Sequence, residues 1–420
     1  MEDFPKLLDD CVHCGFCLPT CPTYELWGEE MDSPRGRINL MIQHEEGKSF
    51  SDSMVEHFDR CLGCMACVTA CPSGVQYDRL IEVTRARVED DKPRTRTDRL
   101  LREAIFAFFP YPKRLRALRW PLRAYQASKI NMAPLLHRIS PTLAAMERLA
   151  PPRAEHVRLP EHVPARGERR AVVGMLTGCV QREFFPGVNA ATARVLAMEG
   201  CDVVIPKGQG CCGALSLHSG RSTEAKAFAK ETIESFADVE VVIVNAAGCG
   251  SAMKTYGDVL ADEPEWAERA QEFAAKTRDL SEYLAELGPR ATRHPLEITV
   301  AYHDACHLAH AQGIRAQPRD LLRGIPGLEI REIADPEICC GSAGVYNLLQ
   351  PEAAGELGDR KAGNVSATGA ELLVAANPGC SLQIATALRR RGEEIAVAHT
   401  AEVLDASIRG TGKEVLSPRR

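Results

Sequence analysis

Eight of the seventeen cysteines in this 420-residue chain fall in two near-identical runs. The first is Cys11-x2-Cys14-x2-Cys17-x3-Cys21-Pro22 and the second is Cys61-x2-Cys64-x2-Cys67-x3-Cys71-Pro72. Three thiolates spaced two residues apart can wrap one face of an iron–sulfur cube, and a fourth, held off by three residues and a proline, serves the other cube. The spacing therefore predicts one [4Fe–4S] cluster on Cys11, Cys14, Cys17 and Cys71, and a second on Cys21, Cys61, Cys64 and Cys67. Disulfides are the first competing chemistry, and they need an oxidising compartment. The opening MEDFPKLLDD carries neither the basic nor the apolar stretch of an export signal, so a cytoplasmic location is expected. The odd cysteine count argues the same way. Zinc is the second, and its sites usually draw on two separated pairs rather than four thiols crowded into one short run.

Eight further cysteines form a second pattern. Cys179, Cys211-Cys212-Gly213 and Cys249 recur as Cys306, Cys339-Cys340-Gly341 and Cys380, at offsets of 127, 128 and 131 residues. This is an internal duplication. A β-rich run precedes each first cysteine (AVVGMLTGC, LEITVAYHDAC), and another ends at each last one (VEVVIVNAAGC, AELLVAANPGC). Strands alternating with helices predict a parallel sheet flanked by helices. Open sheets of this kind bind ligands in the crevice beyond their strand C-termini. Each repeat should therefore bring four thiols to one sheet edge, enough for a further metal or cluster. Two other readings stand beside it: the vicinal pairs cycle as dithiols, or the cysteines are small core residues. His303, His307 and His310, with Asp304, flank Cys306 and are candidates for ligation or proton handling. His218 follows the first CCG. No catalytic nucleophile or carboxylate pair stands out, and neither G-x-G-x-x-G nor G-x-x-x-x-G-K-[ST] occurs where a nucleotide would need it. Electrons must then enter from another protein.

The elements that position these residues predict a multidomain protein, a mostly α-helical two-cluster ferredoxin domain followed by a duplicated α/β domain with parallel sheets. The ferredoxin-like unit spans 1–88. Ile38, Leu40, Met41 and Ile42 have helical spacing between the runs, and Gly15 and Gly63 let backbone N–H groups approach cluster sulfurs. A connecting segment spans 89–169, the first repeat 170–295 and the second 296–410. From Lys92 to Arg123 there are ten Lys or Arg against Asp98 and Glu103, and Pro110, Pro112 and Pro121 should cut this stretch into short helices. Its basic amphipathic pattern suits either packing against a domain or docking to an acidic partner or anionic lipid through Arg114, Arg116 and Arg119. Residues 150–169 read as a Pro- and charge-rich linker. Hydrophobic content of 45% with 26% charged residues is that of a folded globular chain. Scarce aromatics (5%) and a net charge of −6 exclude a nucleic-acid binder. No apolar run approaches the ~20 residues of a transmembrane helix, so any membrane contact is peripheral, on the cytoplasmic face of the inner membrane.

Two ferredoxin runs followed by two CCG repeats resemble the iron–sulfur subunit of bacterial glycolate oxidase over nearly the whole chain. The resemblance is carried by CVHCGFCLPTCPTYELWGEEMDSPRGRINL (11–40), RCLGCMACVTACPSGVQY, GCCGALSLH, NAAGCG and CCGSAGVYNLL. Ser33-Pro34-Arg35-Gly36-Arg37 is similar to that family beyond what cluster binding demands. The resemblance implies a complex that oxidises glycolate, with FAD on partner dehydrogenase subunits only and electrons leaving toward a membrane quinone. Related complexes that oxidise lactate or glycerol-3-phosphate share the CCG repeats, as do heterodisulfide reductases. In the reductase subunit with an unusual cluster the motif ends in C-x-x-C. Here Cys249 is followed by Gly250-Ser251-Ala252 and Cys380 by Ser381-Leu382-Gln383, so the fifth thiol is missing from both repeats.

Overall fold

The computed structural model describes residues 4–128, 132, 136, 138, 140–151 and 157–416. The amino-terminal part is built from helices, chiefly Phe4–Asp9, Pro22–Trp27, Pro34–Glu45, Asp52–Arg60 and Tyr77–Asp91. They close around Phe4, Ile38, Met41, Phe58, Leu80 and Ile81. Ser33 caps the helix Pro34–Glu45 by accepting from the Gly36 N–H at 3.0 Å, and Pro34 at its first position gives up only an N–H that would have no helical partner. Each cysteine run leads into a short helix as its spacing suggests: Pro22–Trp27 follows Cys21, and Ala66–Thr69 holds Cys67.

The basic segment packs against the rest of the chain, the first of its two expected modes. It forms the helices Arg96–Phe108 and Pro112–Ser128, whose buried Ile105, Phe106 and Leu115 face the rest of the molecule. Ile105 and Phe106 pack with Val345 and Leu348 of the second repeat. Contrary to expectation, Pro121 does not cut the second helix, which runs through it to Ser128 at the cost of one backbone hydrogen bond. Arg116 and Arg119, two of the three arginines offered for docking, both pair with the buried Glu183, at 2.9 and 3.4 Å. Glu183→Ala should cost about 1–3 kcal/mol: Arg119 is well covered, but Arg116 is more than half exposed and weakly bound. Faster proteolytic cutting within 112–128, with the remaining fold intact, is the expected readout.

The carboxyl-terminal part carries two sheets. The first contains β1 (His162–Val163), β2 (Ala171–Met175), β3 (Cys201–Val204), β4 (Val241–Val244) and β5 (Thr277–Asp279), in the order β1-β3-β2-β4-β5. The second contains β6 (Ile298–His303), β7 (Leu328–Glu332), β8 (Leu372–Ala375) and β9 (Ala396–Ala398), in the order β7-β6-β8-β9. Apart from β1 the two orders are the same, and every pairing between the matching strands is parallel. Val173 lies in register with Val203 and Val241, and Val300 with Ile330 and Leu372. The duplicated cysteines thus belong to duplicated sheets. β1 corrects the linker expectation for 150–169: it adds to β3 as an antiparallel edge, while residues 152–156 of that linker lie outside the described residues.

The two sheets share one core, in which Val173, Met175 and Val203 meet Val300, Tyr302 and Val374. The helices Pro186–Met198 and Thr400–Arg409 join them, and Arg194 forms a two-point ion pair with Asp405, at 2.8 and 2.6 Å. His399 completes the joint. Its Nε2 donates to the Asn245 carbonyl of the first repeat at 2.8 Å, and its Nδ1 caps the second helix by accepting from the Ala401 N–H at 3.0 Å. Burial holds this imidazole neutral, pushing its pKa down to about 4. The unfolded ring binds a proton below about 6.5 that the folded ring refuses. Stability from this group is therefore complete above that pH and falls, by up to about 1.4 kcal/mol per pH unit, as pH drops toward 4. Melting of His399→Asn should show a shallower decline across this window than the parent chain.

Candidate functional site

Two small voids lie among the amino-terminal thiols. Cys11, Cys14, Cys17 and Cys71 line one, Cys21, Cys61, Cys64 and Cys67 line the other, and Cys67 reaches the wall of both. The first void lies near the surface, with Cys14 exposed, and the second is surrounded by buried cysteines only. Four soft donors around each void fit a [4Fe–4S] cube. The Gly63 N–H donates to Cys61 Sγ at 3.4 Å, and the Tyr77 hydroxyl reaches the same sulfur at 3.6 Å.

The Ser-Pro-Arg-Gly-Arg motif explains itself here. Arg35 is held by Glu30 at 2.6 Å and donates to the His13 carbonyl at 3.1 Å, bracing the first cysteine loop. A side chain at Gly36 would collide with the Glu30 carbonyl, whose oxygen lies 1.9 Å from where its Cβ would stand. Arg37 is the residue that sequence reasoning quoted but gave no role. Its guanidinium, 1% exposed, donates to the carbonyls of His57 (2.7 Å) and Asp32 (2.6 Å), to Thr23 Oγ1 (3.1 Å) and to Asp32 Oδ1 (3.2 Å). Burial opposes ionisation of Cys61, yet Arg37 and Arg85 outweigh it and hold this thiol below the usual thiol range. Cys64 and Cys67 go the other way, pushed well up by burial and by neighbouring thiols.

The eight CCG cysteines sit beyond the strand ends, as the duplication requires. In the first repeat Cys179, Cys211, Cys212 and Cys249 hydrogen-bond in a row, and in the second Cys306, Cys339, Cys340 and Cys380 repeat it. Gly213 and Gly341 adopt positive φ (79° and 87°) and pack so closely on a following helix that a Cβ would lie 3.1 and 2.7 Å from the carbonyls of Ala225 and Ala354. The rows differ electrostatically. The difference is confined to one position: hydrogen bonds from Cys211 and then Cys249 hold Cys212 well below the usual thiol range despite burial, whereas its counterpart Cys340 is pushed above that range, as are Cys211, Cys249, Cys306 and Cys339. None of the seventeen cysteines forms a disulfide, and the seventeenth, Cys201, is buried in β3.

Both rows border one chamber of about 760 Å³, walled also by Cys61 and Leu62 of the second cage and by Leu118, Leu122, Tyr125, Met146 and Leu149 of the connecting segment. That segment is a lid, a role its sequence did not reveal because its apolar face finds its partner only in three dimensions. The histidines separate into different tasks. His303 lies against Cys340 and Cys380. His310 contacts Thr69 at 2.8 Å and the Glu337 carbonyl at 3.2 Å, and Asp304 is committed to Arg319 at 2.6 Å. His307 donates from Nε2 to the Gly63 carbonyl at 2.8 Å, joining the second repeat to the loop of the second cage. Its ring meets that of His218 edge-on, with centroids 4.8 Å apart. Glu82 orients His218 through Nδ1 at 2.9 Å, and Arg85 donates to the His218 carbonyl at 2.8 Å. Two ring nitrogens beside the chamber, His218 Nε2 and His307 Nδ1, have no hydrogen-bond partner. Burial first, then His218, pushes His307 down to about 3. Its ring is therefore neutral at physiological pH.

Comparison with known proteins agrees with this anatomy. Residues 7–75 match the 4Fe-4S dicluster domain, 173–254 and 300–385 match the Cysteine-rich domain called CCG, and 97–150 match the linker region of the glycolate oxidase iron-sulfur subunit. The chain is 39% identical to the probable glycolate oxidase iron-sulfur subunit of Bacillus subtilis, over 96% of each chain. It is 36% identical to the glycolate oxidase iron-sulfur subunit of Escherichia coli, over 96% of this chain and 95% of that one. Lactate utilization protein A of Shouchella clausii is 35% identical and aligns with 56% of this chain and 98% of its own length. In fold, the chain is similar to a hypothetical protein from Helicobacter pylori, with a TM-score of 0.58 at 9% identity over 99% of this chain and 74% of that one. Paired thiol cages, two CCG repeats and a lid of matching sequence leave one assignment: the chain belongs to the family of glycolate oxidase iron-sulfur subunits.

Proposed function

We propose that this chain is the electron-transfer subunit of a flavin-dependent glycolate dehydrogenase and passes electrons from FAD on partner subunits to a membrane quinone. In this reading 1–88 receives the electrons, 89–169 is the connecting segment whose described helices cover the chamber, and 170–295 with 296–410 form the exit. One cluster sits on Cys11, Cys14, Cys17 and Cys71, and the other on Cys21, Cys61, Cys64 and Cys67. Bound there, each cube stores one electron at a time, which divides the two-electron oxidation of a 2-hydroxy acid into single transfers. The CCG thiols hold further metal.

The observation that carries this reading is continuity. Cys67 lines both voids, the second void borders the chamber through Cys61 and Leu62, and His307 is bonded to the Gly63 carbonyl. Entry at the outer cage is supported by Val12 and Phe16, exposed by 67% and 65% on the first loop, which suit an apolar patch on a flavoprotein. Exit at the chamber is supported by its apolar walls and by the unpartnered nitrogens of His218 and His307, which can accept hydrogen bonds from the hydroxyls of the quinol that forms. Among the described residues no helix is long and apolar enough to cross a membrane. In this reading the quinone is met from the cytoplasmic surface of the inner membrane.

The test uses the anaerobic complex with its flavoprotein subunits. Glycolate should reduce both cubes, followed by electron paramagnetic resonance, and a soluble quinone should reoxidise them. His307→Asn and His218→Asn should slow reoxidation while reduction by glycolate keeps its rate. Cubes that stay oxidised while the flavin is bleached would sink the reading. Faster turnover with lactate than with glycolate would move the substrate assignment.

A further inference from the structure

The two repeats are not equivalent at their metal sites. His303 ends β6, and the residue 127 positions earlier, at the same place in the first repeat, is the buried Leu176. Both ring nitrogens of His303 are buried, and neither has a hydrogen-bond partner. A buried polar atom left this way is costly and calls for a ligand. One imidazole nitrogen and the sulfurs of Cys340 and Cys380 all lie within 4.8 Å of one another. The Asn377 amide donates to Cys380 Sγ at 3.5 Å, fixing that thiol from outside the trio. Lys361 is buried nearby, tied to the Asp335 carbonyl at 2.6 Å, and its charge acts on both Cys340 and His303.

We infer that the second repeat holds a mixed metal centre in which His303, Cys340 and Cys380 bind one divalent ion of borderline softness, and that the first repeat lacks this centre. Ligands bonded at ~2.0–2.3 Å around a tetrahedral ion lie roughly 3.3–3.8 Å apart, so a small closure of the trio fills three of its four positions. One nitrogen with two sulfurs is a donor set that zinc and ferrous iron accept. Cys340 and His303 lie behind the chamber wall to which Cys380 belongs, so the ion is screened from bulk solvent. The inference rests on the reading that CCG thiols hold metal and adds a nitrogen ligand to it.

Full-length chain with its cubes intact is titrated anaerobically with Zn2+ and examined at the zinc absorption edge. One imidazole nitrogen and at least two sulfurs are expected in the shell. His303→Leu should remove the nitrogen and weaken zinc binding about 100-fold or more, beyond the ~10–100-fold that loss of an outer-shell partner costs. His303→Cys should restore affinity with a sulfur in place of the nitrogen, which also shows that the fold tolerates the change. Cys212→Ser, in the first repeat, should leave the nitrogen signal in place. An all-sulfur shell in the parent chain, or unchanged binding in His303→Leu, overturns the mixed centre and leaves metal on the thiols standing. Iron already seated there and unaltered by His303→Leu overturns it equally. Failure of every CCG thiol to take up metal removes both readings.

Discussion

Cys21→Ala should erase the same paramagnetic signals as Cys64→Ala, and not those lost in Cys14→Ala, although Cys21 and Cys14 belong to one run. The voids divide the thiols crosswise, with Cys21 beside Cys61 and Cys64, and Cys71 beside Cys11, Cys14 and Cys17. Removing one of four thiolates is expected to strip that cube, lowering iron by about four per chain. Cys71→Ala should in turn match Cys14→Ala. If, as proposed, the outer cage receives electrons and the inner one passes them on to a quinone, either loss should reduce quinone reduction at least about 1,000-fold while the flavin is still bleached by glycolate, the gap left when a ~4 kcal/mol barrier is added to transfer. Pairing of Cys21→Ala with Cys14→Ala in the spectra would refute the crossed arrangement.

Arg37→Met should give the second large effect, through a side chain that ligates nothing. Asp32 is wholly buried and shared by Arg37, Arg60 and His57, so removing one cation leaves its charge undercompensated. Breaking a buried pair of this kind costs about 3–5 kcal/mol. The same guanidinium stabilises the charge of the inner cage, since it already lowers Cys61. A unit charge roughly 6 Å away at an effective dielectric of about 20 is worth about 3 kcal/mol, and 59 mV corresponds to about 1.4 kcal/mol for one electron. With Asp32 opposing, the inner cube's potential should fall by about 50–100 mV. Arg37→Lys keeps the charge but loses the forked hydrogen bonds, so stability should suffer while the potential shifts less. An unchanged potential in Arg37→Met with the cube present would reduce Arg37 to a structural role.

The difference between Arg37 and the cage cysteines marks what could be read from the chain alone. Cage ligands are close in sequence, and the geometry of a cube restricts which spacings can hold it, so their pattern is legible residue by residue. The same holds for the CCG thiols, because a strand–helix alternation places the ends of parallel strands along one edge whatever the loops do. The duplication, the helical amino-terminal unit and the parallel sheets all follow from local periodicity. His218, His303, His307 and His310 were visible as candidates, but their separate duties were not. His307 finds Gly63 and His310 finds Thr69 across more than two hundred residues, and no local spacing encodes such a contact. The basic segment was ambiguous for the same reason: an amphipathic face needs a partner, and sequence does not say whether that partner is a membrane, another protein or this chain's own chamber. Local ligand chemistry and strand periodicity were therefore written in the sequence. Which charges were neutralised internally, and which imidazoles were left with unpaired nitrogens, was decided only when distant segments were packed together and water was excluded between them.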